Sequence, residues 1–364
     1  SEDMAWRLDH GSDLVLQLHL LPSGKPEVLQ SRVGLYFAKK PPTRIPTAVH
    51  LGTTAIEIPA GQSDYTVEDS YRLPVDVKVL GVYPHAHYLC REMKGEATLP
   101  DGTTRLLLHI PEWDFNWQDD YRYVDPIALP KGTVLRMRYV YDNSSGNVLN
   151  PHNPPQRVLF GPESSDEMCD LWIQVLPGSR DDLALLKNDF ARKYLSSVVD
   201  GVRHAIRINP DDANSHFNLA MLLARQGRAD EAAASHRRVI ELDPNFSSSL
   251  IELGGFYIRQ GRTAEATALF ERVLSLDPDS FPAHNNLGIL AARSGSMSQA
   301  IVHFEKALRQ KPDDPGALNN LGMAYEQQGD FALAVDYYHR AVAIKPGEPR
   351  LRANLERAQT KMGR

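Results

Sequence analysis

Two histidines one residue apart, His85 and His87 in Val82-Tyr-Pro-His-Ala-His-Tyr88, are the side chains best spaced to do chemistry. On a strand, residues i and i+2 project from the same side, so both imidazoles can converge on one metal ion. A lone pair of this kind also suits surface or core histidines. Met168 follows an acidic turn in Ser164-Ser-Asp-Glu-Met-Cys-Asp170 and opens an apolar run, Leu171-Trp-Ile173. Taken alone, it reads as a flexible filler of a buried gap. His19 ends the alternating run Leu14-Val-Leu-Gln-Leu-His19, whereas His109 and His152 have no partner spacing that argues for a metal. The chain has two cysteines, Cys90 and Cys169.

The elements that must carry these residues are strands. Asp13–Leu20, Gln30–Phe37, Val77–Val82, Arg105–Ile110 and Val134–Tyr141 alternate or run apolar over strand lengths. Turn clusters such as Ala60-Gly-Gln-Ser63, Pro100-Asp-Gly-Thr103 and Asp142-Asn-Ser-Ser-Gly146 separate them. Many short strands between turn signals predict an antiparallel sandwich or barrel. Trp113-Asp-Phe-Asn-Trp117 reads as sandwich core or edge packing. The 364 residues are 42% hydrophobic and 24% charged, which excludes collagen-like, disordered and disulfide-stapled classes. The formal charge of -6 lies wholly in the first half: residues 1–180 carry 17 Lys and Arg against 23 Asp and Glu, and residues 181–364 carry 23 of each. With no basic block, nucleic acid is not an expected partner. No apolar run reaches the ~18 residues of a membrane span, so no transmembrane segment is expected. The opening Ser-Glu-Asp-Met, running at once into a strand pattern, reads as a piece of a longer chain.

From about residue 181 the period changes. Prolines fall at 210, 244, 278, 312 and 346, each 34 residues after the last. The same frame aligns Leu219, Leu253, Leu287 and Leu321 at position 7, and Ala220, Gly254, Gly288 and Gly322 at position 8. It also aligns Ala232, Ala266, Ala300 and Ala334 at position 20, and His236, Phe270, Phe304 and Tyr338 at position 24. Residues 213–346 thereby resemble four tetratricopeptide repeats. Small residues at 8 and 20 let paired helices approach closely, and the large residue at 24 is expected to fill the groove to the next pair. Residues 179–212 fit the frame poorly, with Leu186 and Val198 where small residues belong, and read as a degenerate repeat and linker. Residues 347–364 read as a polar capping helix. Such arrays bind proteins or extended peptides. Asn285, Asn286, Asn319 and Asn320 on the first helices can clamp a peptide backbone, although Asn is frequent there in ordinary repeats.

His85-x-His87 followed 81 residues later by Asp166-Glu-Met-Cys169 resembles the second domain of the copper type II, ascorbate-dependent monooxygenases. This family includes the peptidylglycine alpha-hydroxylating and dopamine beta-monooxygenases. The resemblance implies a jelly-roll-like β sandwich over residues 46–178, with copper held by His85, His87 and Met168. A thioether suits Cu(I) and is a poor choice for Zn(II). Residues 1–45 would be the end of the family's first domain. There His19 matches one ligand of the other copper, and the adjacent His-His pair that completes that site is absent from this chain. Asp166, Glu167 and Asp170 are candidates to support the ligands.

The implied activity is oxidoreductase chemistry: hydroxylation of an aliphatic C–H with O2 and ascorbate as electron donor. The implied compartment is extracytoplasmic, periplasmic or secreted. Peptide-amidating members carry an Arg two residues before the first His and a Tyr four residues after the Met. Tyr83 and Trp172 stand there, so peptide amidation is not expected, and these two become candidate contacts for an unidentified small-molecule or peptide substrate. Where the animal enzymes pair the Cys after the ligand Met with a Cys on a neighbouring strand, this chain has Tyr139. Cys169 is left to meet Cys90 or to stay a free thiol. The other reading is a non-catalytic copper-binding or scaffold protein acting through its repeats.

Overall fold

The computed structural model describes residues 44–363 and divides into two compact units, the first ending at His204 and the second running from Ala205. His19, and almost all of the segment 1–45, lie outside the described residues.

The first unit is built from strands β1 (Thr47–Gly52), β2 (Glu57–Ile58), β3 (Tyr65–Arg72), β4 (Val77–His85), β5 (Cys90–Thr98), β6 (Thr104–Ile110), β7 (Tyr121–Leu129), β8 (Val134–Tyr141), β9 (Val158–Leu159) and β10 (Asp170–Pro177). One antiparallel sheet has the order β1-β10-β4-β7, the other β3-β8-β5-β6, and β2 pairs with β9. Alternation drives this arrangement. In β4, Val77, Val79 and Val82 turn inward while Lys78 and Tyr83 face out, and in β10 Leu171, Ile173 and Val175 turn inward around Trp172. Residues of both sheets join in one buried core, with Val79, Leu171 and Ile173 from the first and Met93, Leu135, Met137 and Tyr139 from the second. Burying such side chains contributes roughly 1.5–3 kcal/mol each.

Helix α1 (Arg180–Ile208) follows as one continuous 29-residue helix. The segment expected to be a degenerate repeat is therefore not a helical hairpin. Ser179 caps its start by accepting the Asp182 N–H at 3.0 Å. Leu186 then enters the sandwich core, Phe190 packs on Tyr71 with ring centroids 5.4 Å apart, Tyr71 donates to Asp189 at 3.0 Å, and Lys193 pairs with Asp69. Leu186, one of the two bulky residues that spoil the repeat pattern, thus attaches this helix to the β sandwich.

The second unit is a run of antiparallel hairpins, α2 (Ala213–Arg225) with α3 (Ala229–Leu242), α4 (Ser247–Arg259) with α5 (Thr263–Leu276), α6 (Phe281–Arg293) with α7 (Met297–Gln310) and α8 (Pro315–Gln328) with α9 (Phe331–Ile344), closed by α10 (Pro349–Met362). A Cβ on Gly288 would stand 2.6 Å from the Phe304 ring, one on Gly254 2.6 Å from Phe270, and one on Gly322 2.9 Å from Tyr338. The large residue at position 24 thus packs on the glycine at position 8 of its own hairpin, and it also reaches the next pair: Phe270 shares a buried cluster with Ala283 and Leu287 of α6, and Phe304 one with Leu318 and Leu321 of α8. At the end of the array the buried Glu326 accepts from Tyr338, Arg357 and Lys361 at 2.9, 2.9 and 3.0 Å, which fastens α10 to α8 and α9.

Candidate metal centre

His85 is the last residue of β4, and the antiparallel register pairs it with Asp170, the first residue of β10. His87 lies two residues beyond the end of β4 and Met168 two residues before the start of β10. The His85 and His87 rings stand edge to face, centroids 5.2 Å apart and 83° between planes. Two imidazoles on one ion at ~2.0 Å bonds have centroids about 5 Å apart, so this spacing suits a shared ion.

Each ring is oriented from behind. His85 Nδ1 faces the Gln118 amide oxygen, and Gln118 is itself fixed by donating to the Phe115 carbonyl at 2.8 Å. His87 Nδ1 faces the Asp166 carbonyl at 3.1 Å. A ring whose Nδ1–H is spent this way keeps the Nε2 lone pair for a metal. Burial, with the neighbouring His85 second, lowers the His87 pKa against the pull of the Asp166 carbonyl, and favours the neutral imidazole a metal requires.

Met168 is held at its backbone and its side chain is half-buried. Its carbonyl accepts from the Tyr141 hydroxyl at 2.7 Å, and its N–H donates to Glu167 at 3.2 Å. The fully buried Glu167 carboxyl also accepts the N–H groups of His87 at 2.9 Å and Leu89 at 2.6 Å. Burial pushes its pKa up to about 8, with those backbone donors opposing. Among the described residues, no group of three or more His, Cys, Asp and Glu could hold a metal ion. Two imidazoles and a thioether fit copper better than zinc, calcium or magnesium.

The acidic candidates take different roles. Asp166 uses its carbonyl and Glu167 its buried carboxyl, whereas Asp170 turns to His50, with Oδ1 2.6 Å from Nε2. His50 stacks on Trp172 at 4.4 Å. Cross-strand pairing places His50, Trp172 and Tyr83 in one row across β1, β10 and β4, on the outer face that His85 and Asp170 share. Tyr83 is 39% exposed and Trp172 43%.

Cys90 and Cys169 are both free and buried. Cys169 makes its own contact with the Thr53 carbonyl at 3.3 Å, and burial pushes both thiol pKa values up. In the segment Trp113–Trp117, Trp113 joins the sandwich core as its sequence reading expects, whereas Trp117 does not. The segment is a loop beside the histidines, in which Trp113 is buried and donates to the His87 carbonyl at 3.2 Å, Phe115 packs on His87, and Trp117 is 71% exposed. Sequence reasoning missed His50, Gln118 and Phe115. For His50 the strand alternation of Thr47–Gly52 was the available signal, while Gln118 carried none.

In the second unit the four asparagines are tied into the array. Asn320 donates to Asn285 at 3.3 Å, Asn354 donates to Asn319 at 2.7 Å, and Asn286 donates to the Pro282 carbonyl of its own helix at 2.9 Å. The Asn285–Asn320 and Asn319–Asn354 pairs link successive first helices, whereas Asn286 stays within its own. Among the described residues no helix is long and apolar enough to cross a membrane.

Three tetratricopeptide repeat models match the chain, at residues 203–234, 223–288 and 279–346. No curated protein matches it. Similar solved structures include MamA, 20% identical over 44% of this chain and 87% of that one with a TM-score of 0.39. PilF of Pseudomonas aeruginosa is 20% identical over 47% and 84% with a TM-score of 0.41. YrrB, described as a TPR protein with an unusual peptide-binding site, is 16% identical over 49% and 89% with a TM-score of 0.40. Residues 203–346 of this chain are tetratricopeptide repeats, a protein-interaction architecture, carried behind a β-strand unit.

Proposed function

We propose that the protein is a copper-binding scaffold, in which a β sandwich holds one copper ion through His85, His87 and Met168 and the repeats recruit a protein or peptide partner. The observation that carries the metal reading is the pair of imidazoles 5.2 Å apart, each with Nδ1 engaged from behind. The strand orders β1-β10-β4-β7 and β3-β8-β5-β6 support a jelly-roll connectivity for the sandwich. The test is titration of the protein with Cu(I). Binding at one equivalent that His85→Ala and Met168→Leu each weaken strongly supports the site, and full-strength binding in both variants overturns it.

A second reading, ascorbate-dependent copper monooxygenase, is favoured by the Tyr83–Trp172 row on the outer face that bears His85. Copper, when bound, supplies one-electron chemistry with O2. The chain's own residues hold the imidazoles neutral and oriented, and set an aromatic surface beside them for an apolar or aromatic substrate. This reading places the protein in an extracytoplasmic compartment. Ascorbate-dependent O2 uptake by copper-loaded protein that Met168→Leu abolishes would support it over the scaffold. His19, the candidate for a partial second copper site, belongs to the same test through His19→Ala.

A further inference from the structure

Between α5, α6 and α7 lies an open cavity of about 580 Å3, lined by Glu271, Leu287, Ala291, Val302 and His303 among others. The 34-residue period explains why it is there. Ala291 occupies position 11 of its repeat, where the repeats before and after carry Tyr257 and Tyr325.

In the last repeat the same place is filled from within. The Tyr325 ring stacks on Tyr337 with centroids 5.6 Å apart and planes within 2°, and its hydroxyl donates to Glu305 at 3.1 Å. Glu305 and Tyr337 stand 34 residues after Glu271 and His303. Around Ala291 the chain therefore keeps a carboxylate at the hydroxyl acceptor's position and a flat ring at the stacking position, with alanine at the position of the phenol.

The flat ring is also locked. His284 Nε2–H donates to the Pro278 carbonyl at 3.0 Å, which leaves His284 Nδ1 as an acceptor, 3.1 Å from His303 Nδ1. His303 must donate through that nitrogen, so its ring is held in one tautomer and one orientation. Leu287 supplies the apolar floor.

We propose that this notch receives the phenol side chain of a tyrosine presented by a partner protein, with the hydroxyl on Glu271 and the ring on His303. The inference rests on the protein-interaction reading of the repeats and names the chemistry of one contact. It does not depend on copper.

The experiment is calorimetric titration of the full chain with N-acetyl-L-tyrosinamide, its phenylalanine analogue and its leucine analogue. The tyrosine probe is expected to bind with a dissociation constant on the order of a millimolar, as suits one small side chain. The phenylalanine probe is expected to bind roughly tenfold more weakly, because it leaves Glu271 unpaired. Glu271→Ala should remove that tenfold preference. Ala291→Tyr should abolish binding of every probe, with circular dichroism confirming that the helices remain. Should Ala291→Tyr not fold, Glu271→Ala decides alone. No heat with the tyrosine probe, equal binding of the leucine probe, or an undiminished tyrosine preference in Glu271→Ala would each overturn the proposal. Any of these would leave the repeats free to bind a partner through another face, so this failure is distinct from failure of the interaction reading.

Discussion

The Glu167 carboxyl accepts the backbone N–H of His87 at 2.9 Å, across 80 residues of chain. The same group takes the N–H of Leu89 and of Met168, its own neighbour. One buried side chain thereby ties the loop that carries one imidazole to the segment that carries Met168, just ahead of β10. The two halves of the proposed site are joined before any metal arrives.

Replacing that group should therefore act on stability and on metal binding together. Glu167→Ala strands three donors, and a buried unsatisfied donor costs about 1–3 kcal/mol. We expect a loss of at least ~3 kcal/mol in urea unfolding of the sandwich, with weakened Cu(I) binding. Glu167→Gln keeps an acceptor and should lose less than half as much. Equal stability of wild type and Glu167→Ala would show that the clamp is unimportant.

Gln118 offers a cleaner separation. It touches His85 but lies outside the core, so Gln118→Ala should leave the unfolding midpoint nearly unchanged. Its effect should appear in Cu(I) affinity, lower by 10–100-fold as is typical when a group orienting a ligand is lost. Unchanged affinity in competition with a chelator would remove Gln118 from the site.

In the repeats, Gly288→Ala places a methyl 2.6 Å from the Phe304 ring. Overpacking of this kind costs typically 1–3 kcal/mol. We expect a lower melting temperature, partly recovered by adding Phe304→Leu. A double-mutant cycle with no coupling between the two sites would contradict the direct contact.

The repeats should also lose stability in acid, in two windows. Burial lowers the His236 pKa to about 4, so below pH 6.5 the unfolded chain binds a proton that the folded chain refuses. Stability is full above pH 6.5 and falls toward pH 4, by up to about 3 kcal/mol. Tyrosine, arginine and lysine bonds hold the Glu326 pKa down at about 2, so its contribution is present above pH 4.5 and is lost as pH falls toward 2. Urea midpoints measured from pH 7.5 to 3 should show the first window shrink in Ala220→Gly/His236→Phe, which restores the glycine and ring found in the other hairpins and leaves His284 and His303, whose pKa values burial also lowers. A flat profile in the wild type would exclude the histidine effect.

Much of this architecture was legible in the amino-acid order because it rests on short-range periodicity. Alternating residues define strands such as β4 and β10, and five prolines at a fixed spacing define hairpins whose small and large positions recur. Those signals are local, and they survive without knowledge of which segment meets which. They stopped being reliable where a residue serves a distant partner. Leu186 and Val198 look like errors in a repeat until Leu186 is seen in the sandwich core. Trp113 reads as core packing and is in the core, but nothing in the sequence showed that its indole also donates to the His87 carbonyl.

The sequence by itself determined two architectures, with the His-x-His spacing at the end of β4 and the repeat frame that leaves Ala291 among tyrosines. The tertiary structure alone decided that Glu167 spans the two segments, that Gln118 stands behind His85, and that His50 and Asp170 pair. Each of these is a contact between segments far apart in the chain, or between a loop and a strand end. Strand register and loop path set such contacts, and no local period encodes them.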